Sequence, residues 1–170
     1  MRAGPRPARH PPGQEFLASR GARFLSYLLD TNVISEARKG ARADAGVLRW
    51  LSGVGQQELY ISVLVVGEIR QGVERLKRRD PDQAAVFEAW LAELRGSYAE
   101  RIVPITVEDA DEWGRMTAPD PLPAVDSLMA AQAKSRGMTL VTNNTRDFER
   151  TGVALLDPFD ARLPFHTIIV

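Results

Sequence analysis

Any hydrolytic chemistry in this 170-residue chain has to rest on carboxylates. The sequence contains no cysteine and only two histidines, which excludes thiol nucleophiles and cysteine zinc sites and argues against a Ser-His-Asp triad. Four acids stand out by their position, namely Asp30, Glu68, Asp126 and Asp147. Clustered carboxylates repel one another, so one of them would be protonated unless a cation were present. Because oxygen ligands suit Mg²⁺ or Mn²⁺, a cluster of these acids would favour either ion.

Each acid also has a purely structural interpretation. Asp30 ends an apolar run and suits a helix N-cap, whereas Asp126 falls in the first turn of a predicted helix, where the dipole favours it by about 0.3–1 kcal/mol. Asp147 follows a polar run and is a typical turn residue. Glu68 lies beside the apolar stripe of its helix with no basic residue at i±3 or i±4, and an unpaired carboxylate there favours a cation or a metal.

The apolar pattern predicts the elements that position these acids. Short apolar runs indicate strands at 24–29, 58–63, 101–105 and 138–142, with a further candidate at 153–156. Periodicity and capping residues predict helices at 31–38, 44–51, 63–79, 80–98, 106–117 and 124–136. This alternation favours an α/β fold with a mainly parallel sheet of four to five strands. Sites in such sheets form beyond the carboxyl ends of strands, which directs attention to Asp30, Asn143, Asn144 and Asp147.

The balanced charge of the chain conceals an uneven distribution. Residues 1–24 carry five arginines and one glutamate, which leaves a net charge of −4 for the remainder. Their proline- and arginine-rich composition predicts a disordered tail, with a mis-assigned start codon or a transit peptide as alternatives. We expect one domain at 25–160 and a C-terminal tail at 161–170. No apolar run approaches the roughly 18–20 residues that span a bilayer, and the lack of cysteine fits a cytoplasmic protein.

Four segments resemble, in order and at similar spacing, the motifs of PIN-domain ribonucleases. The specific likeness is to toxins of the VapC type, including the FitB-like branch, and it extends from about Leu25 to Phe159. It implies a PIN-like α/β/α sandwich with helices flanking the sheet. The segments are LLDTNVISE at 28–36, S-x5-EIRQG at 62–72, DSLMAAQA at 126–133 and LVTNNTRDF at 140–148.

The resemblance assigns roles to residues of these motifs. It implies that Asp30, Glu68 and Asp126 are the principal catalytic and metal-site acids and that Asp147 is a fourth, more variable one. Residues with supporting roles, which orient carboxylates or waters or hold the fourth motif in shape, would be Thr31, Asn32, Thr142 and Asn144.

One position departs from the family pattern. Asn143 stands where relatives often carry arginine, and a base there could contact phosphate. Arg146 is a candidate substitute for that RNA phosphate contact.

The function implied by the resemblance is that of a Mg²⁺-dependent endoribonuclease in which Mn²⁺ can substitute. A metal-activated water would attack the phosphodiester and leave 5′-phosphate and 3′-hydroxyl ends. The resemblance also implies a toxin that is inhibited by a small cognate antitoxin protein, forms a homodimer, and meets DNA only through that antitoxin.

Two other functions remain to be weighed. One is a PIN-like binding module that acts only within a repressor complex, against which the retention of all four acids argues. The other is an aspartyl-nucleophile phosphatase, whose usual motif needs a second aspartate at position 32, where this chain has Asn32.

Overall fold

The computed structural model describes residues 25–119 and 121–160, and the expected tails at 1–24 and 161–170 lie outside them. Five strands form one sheet in which every neighbouring pair is parallel, in the order β3-β2-β1-β4-β5. The strands are β1 (Tyr27–Leu29), β2 (Leu59–Ser62), β3 (Ile102–Val103), β4 (Thr139–Val141) and β5 (Leu155–Leu156). The predicted α/β class is therefore confirmed, with a fully parallel sheet.

Seven α-helices flank the sheet in the described part of the chain. Each of the six predicted helices is present, and the capping residues set several starts: the side chains of Asp30, Asp44, Ser62 and Asp80 accept hydrogen bonds from backbone N–H groups of the helices they precede. The helices are α1 (Thr31–Ala37), α2 (Ala45–Gly53), α3 (Val63–Lys77), α4 (Pro81–Ser97), α5 (Val107–Thr117), α6 (Ala124–Ser135) and α7 (Thr145–Phe148).

Two local predictions differ from the structure. The strand predicted at 101–105 is only the two residues of β3, because Pro104 has no N–H to extend the ladder and β3 lies at the sheet edge. Asp147, whose default structural interpretation was a turn residue, lies in the short helix α7, for which Asn144 is the N-cap.

The core is densest where β1 runs through the middle of the sheet. Leu28 pairs with Tyr60 of β2 on one side and Leu140 of β4 on the other, and its side chain is fully buried. Around this strand α3 packs against α4, and α5 packs against α6. A rigid centre of this kind fixes the residues that follow β1 and β4. Within the described ranges no helix is long and apolar enough to cross a membrane.

Candidate active site

The candidate site lies at the point where the strand order reverses. The chain moves from β1 to β2 and β3 on one side of the sheet and later returns to β4 and β5 on the other, so β1 and β4 are neighbours. The backbone N–H of Asp30 donates to the carbonyl of Val141 at 3.0 Å, which locks the ends of these two strands together. Crevices at such reversals are the usual ligand sites of open parallel sheets.

Asp30 serves as a helix cap and as an acid of this site. Its Oδ1 accepts from the backbone N–H of Thr31 at 2.6 Å, and its Oδ2 accepts from Asn32 Nδ2 at 2.5 Å and from Thr142 Oγ1 at 2.6 Å. Burial raises the pKa of the Asp30 carboxyl, and these hydrogen bonds offset part of that rise. Both oxygens are thus held in place by two residues of α1 and by Thr142, which directly follows β4.

Glu68 projects from α3 toward the start of α1. Thr31 Oγ1 donates to Glu68 Oε2 at 2.5 Å, and the Glu68 side chain is half-buried. The sequence offers Glu68 no base at i±3 or i±4, and the structure supplies a hydroxyl from a residue 37 positions away. A hydroxyl orients this carboxylate without neutralising it, so its charge stays available.

Asp126 is the point at which the acids converge. Burial raises the pKa of its carboxyl, and the negative charges of Asp30, Glu68 and Asp147 raise it further. Asp30, Glu68 and Asp147 therefore each lie within electrostatic reach of Asp126, although the four acids come from the end of β1, α3, α6 and α7. No cation is among the groups that shift this pKa.

Asp147 is the outermost acid of the group. Asn144 Nδ2 donates to Asp147 Oδ2 at 2.6 Å, and the backbone N–H of Asn144 donates to Thr142 Oγ1 at 3.0 Å. The Asp147 side chain is exposed, which suits a more variable ligand. Arg146 beside it is also exposed, and no other described residue forms an ion pair with it.

One contact that fixes the start of α6 has no signature in the sequence. Trp113 Nε1 donates to Ser127 Oγ at 2.9 Å, and Ser127 Oγ donates to the carbonyl of Pro123 at 2.7 Å. Ser127 follows Asp126 directly, so the indole on α5 holds the helical turn that carries this acid. The two partners lie 14 positions apart on different helices, and only the packing of α5 on α6 reveals the contact.

The donor set fits a hard divalent cation. All four candidate acids offer carboxylate oxygens. No basic side chain is among the groups that shift the pKa of Asp126, so the negative charge around it has no protein counter-ion there. No three acidic or histidine side chains in the described ranges are close enough together to hold an ion by themselves. Mg²⁺ does not require such a cage, because it usually takes one or two carboxylates and completes its shell with water and substrate phosphate. The residues present therefore suit a metal that is shared with a phosphate ester.

Comparison with known proteins identifies the family. The PIN domain family matches residues 27–154. The chain is 30% identical over 142 residues to the VapC ribonuclease Y4jK of Sinorhizobium fredii. This match covers 78% of this chain and 97% of that protein. It is 29% identical over 137 residues to the toxin FitB of Neisseria gonorrhoeae. That match covers 78% of this chain and 97% of FitB.

A solved structure agrees with the sequence comparison. The FitAB complex bound to an IR36 DNA fragment contains a chain that matches with a TM-score of 0.71 and 29% identity, covering 81% of this chain and 98% of that one. The protein belongs to the PIN domain family. The family predicted from the four motifs is confirmed, and so is the PIN-like α/β/α fold.

Proposed function

We propose that this protein is a divalent-metal-dependent endoribonuclease and the toxin of a toxin–antitoxin pair. The observation that carries the proposal is the convergence of Asp30, Glu68 and Asp147 on Asp126 near the strand reversal. Burial raises the pKa of the Asp126 carboxyl, and the negative charges of the other three acids raise it further. The similarity to a protein named as a VapC ribonuclease and to the toxin FitB supports the same activity. A purely structural module would have no use for this uncompensated charge, so the binding-module alternative is not favoured.

In this proposal the acids hold Mg²⁺, for which Mn²⁺ can substitute. Asp30, Glu68 and Asp126 are the principal ligands and Asp147 is an outer one. When bound, such an ion activates water for attack at phosphorus and neutralises charge on the phosphate. The protein's own contribution is orientation: Asn32 and Thr142 fix the Asp30 carboxylate.

Two further side chains complete the proposed machinery. Thr31 fixes Glu68 through its hydroxyl, and Asn144 fixes Asp147 through its amide. Arg146 is proposed as the phosphate contact, because it is exposed and lies next to Asp147. We place the catalytic domain at residues 25–160.

A cleavage assay tests the activity. Structured RNA is incubated with the full chain in Mg²⁺, in Mn²⁺ and in EDTA, and the variants Asp30→Asn and Asp126→Asn are compared with Asp111→Asn. Asp111 is an exposed aspartate of α5 and serves as the matched control. We expect cleavage only with a divalent ion, loss of cleavage in the two site variants, and full cleavage by the control. Unchanged cleavage by Asp30→Asn and Asp126→Asn would refute the assignment.

The chemistry of the product ends tests the finer part of the proposal. Hydrolysis that breaks the bond between phosphorus and the 3′ oxygen leaves 5′-phosphate and 3′-hydroxyl ends. Such fragments resist labelling by polynucleotide kinase until a phosphatase has removed the 5′-phosphate. Direct labelling without phosphatase would indicate 5′-hydroxyl ends and a different route.

The proposed partners are a cognate antitoxin and a second copy of the chain. The antitoxin would carry the DNA contacts, as suggested by the FitAB complex with DNA. Exposed aliphatic side chains that follow β2 and β3 or begin α6 support self-association: Val63, Ile105, Val107 and Val125. Light scattering on the wild type and on Val107→Asp tests the dimer, and a monomeric wild type would exclude it.

A further inference from the structure

A pocket of about 330 Å³ opens directly beside the candidate active site. Thr31 and Glu68 line it at one end, so it is continuous with the acids. The rest of its wall comes from α3 and α4, with Ser35 of α1 and Arg79 just after α3. Its apolar members are Ile69, Val73, Leu76, Phe87 and Trp90. This volume lies within the range of small-ligand sites, which are typically about 300–1,000 Å³.

Two aromatic rings form part of the pocket wall. Phe87 and Trp90 stand edge to face with their centroids 6.0 Å apart, and both rings are only half-buried. The Arg38 guanidinium lies over both, at 4.2 Å from the Phe87 centroid and 5.4 Å from the Trp90 centroid. Aromatic rings and guanidinium groups are the surfaces on which proteins stack unpaired RNA bases.

The cations of α3 divide into two sets. Arg70 and Lys77 each pair with Glu88, at 2.5 Å and 3.3 Å, and with Glu74, at 3.3 Å and 2.9 Å. The hydrogen bond from Arg70 lowers the pKa of Glu88 to about 2. Arg75 and Arg79 line the pocket, are exposed, and have no side-chain partner among the residues that the structure describes. Two of the three exposed arginines at this end of α3, Arg75 and Arg79, therefore face the pocket, whereas Arg78 does not line it.

We propose that this pocket is a nucleotide subsite for single-stranded RNA beside the scissile phosphate. A base packs against Phe87, Trp90 and Arg38, and the adjoining phosphates contact Arg75 and Arg79. The inference rests on the proposed ribonuclease function, because Glu68 belongs to the candidate active site and also lines the pocket. Aromatic surfaces combined with a positively charged groove are the usual means of binding single strands. The net negative charge of residues 25–170 makes such local cations necessary for RNA affinity.

The test measures RNA binding without cleavage. Oligouridylate and oligoadenylate are titrated by fluorescence anisotropy into the full chain carrying Asp126→Asn, over a range of salt concentrations. The double variant Arg75→Ala, Arg79→Ala is compared with Arg78→Ala, which removes an exposed arginine of the same helix end that does not line the pocket. We expect about tenfold or greater loss of affinity in the double variant only. The slope of log affinity against log salt should fall by about 0.7 for each phosphate contact removed.

A second pair of variants tests stacking. Trp90→Ala should weaken binding about fivefold or more, whereas Trp90→Phe keeps an aromatic face and should stay near the starting affinity. Circular dichroism checks folding, and the arginine variants decide the matter if Trp90→Ala does not fold. The proposal is overturned if the double variant matches Arg78→Ala in both affinity and salt slope. It is equally overturned if the pocket variants lose binding to the antitoxin from the adjacent gene while RNA binding is unchanged.

The outcome separates this inference from the proposed function. Wild-type cleavage together with RNA affinity that is independent of Arg75 and Arg79 removes the subsite and leaves the ribonuclease. Affinity that depends on these arginines in a chain that never cleaves RNA removes the ribonuclease and leaves an RNA-binding pocket.

Discussion

Thr142 donates its hydroxyl proton to Asp30 Oδ2 at 2.6 Å, across 112 positions of sequence. A hydroxyl has a single proton and two lone pairs. Both lone pairs are taken, because Asn32 Nδ2 and the backbone N–H of Asn144 each donate to Thr142 Oγ1 at 3.0 Å. The proton of Thr142 is therefore directed at Asp30, and the first and fourth motifs act as one unit.

Replacement of Thr142 by valine should impair activity without unfolding the protein. Valine keeps the shape of the fully buried side chain but removes the proton that orients Asp30, together with the oxygen that accepts from Asn32 Nδ2 and the Asn144 N–H. Loss of a group that orients a ligand typically costs about 10–100-fold in metal affinity or activity. Cleavage measured as a function of Mg²⁺ concentration should show that loss, and Thr142→Ser should restore most of it. Equal activity of the valine and serine variants would mean that the hydroxyl has no orienting role.

Asp126→Asn should make the metal-free protein more stable. Burial and the neighbouring acids raise the pKa of Asp126, so its ionised form destabilises the folded chain at neutral pH, and this penalty disappears as the pH falls through the raised pKa. Removing the charge should add about 0.5–2 kcal/mol to the free energy of unfolding, the usual range for single stabilising substitutions. Urea denaturation in EDTA provides the measurement, with Asp111→Asn as the control. A less stable Asp126→Asn chain would show that burial and the neighbouring acids do not destabilise the ionised Asp126 carboxylate.

The same variant should respond less to metal. An ion that binds only the folded state stabilises it by about 2.7 kcal/mol at a hundredfold excess over its dissociation constant. Added Mg²⁺ or Mn²⁺ should raise the melting temperature of the wild type and leave that of Asp126→Asn nearly unchanged. Equal shifts in both proteins would place the ion elsewhere.

Much of the site could be predicted because its signals are local. The apolar run that ends at Asp30 predicts a buried strand followed by a cap, and β1 and α1 have this form. The parallel sheet follows from the alternation of strands and helices, and it brings Asp30 and Thr142 to one edge. The family motifs then assigned the supporting residues, and each of these forms a hydrogen bond to one of the four acids.

The remaining features depend on tertiary contacts that the spacing of residues along the sequence does not indicate. Apart from its place in the family motif, Glu68 was recognisable only as a carboxylate without a base at i±3 or i±4. Its hydrogen bond from Thr31 depends on how α3 packs on α1. The pocket with Phe87 and Arg79 arises from the pairing of α3 and α4, which are adjacent in sequence but whose facing sides no motif marks. Asp109 caps the start of α5 and is also a buried partner of Arg136 across the α5–α6 contact, which no motif marks.

The Asp109–Arg136 pair should control stability rather than catalysis. The Asp109 side chain is 1% exposed and the Arg136 side chain 18% exposed, and the pair joins α5 to α6. Arg136→Met leaves the buried carboxylate without its cation, which should cost about 3–5 kcal/mol of unfolding free energy. The Mg²⁺ dependence of cleavage by the remaining folded protein should be that of the wild type. A variant as stable as the wild type would mean that solvent already screens this pair.

The pH dependence of the same variant should reverse in sign. Burial raises the pKa of Asp109, but hydrogen bonds from Arg136, Ser135 and the Thr106 backbone outweigh that effect and lower it. The wild type therefore keeps this stabilisation above the ordinary pKa of aspartate and loses it as the pH falls through the lowered value. In Arg136→Met burial dominates, so protonation of Asp109 should stabilise the fold as the pH falls. Urea midpoints from about pH 7 down to about pH 4 distinguish the two trends.

Deletion of residues 1–24 should weaken RNA binding by a purely electrostatic route. The segment carries five arginines against one glutamate, whereas the remainder of the chain has a net charge of −4. Basic groups near RNA release counter-ions, so affinity that depends on them falls steeply with salt, by about 0.7 in the log–log slope for each phosphate neutralised on a single strand. We expect the truncated chain, carrying Asp126→Asn to prevent cleavage, to bind oligouridylate more weakly at low salt and with a shallower slope. At high salt the RNA affinities of the two chains should converge, because salt screens the electrostatic contribution by which they differ. An unchanged slope would show that the arginines of the tail make no phosphate contacts and that the cations of the domain account for the whole of the RNA affinity.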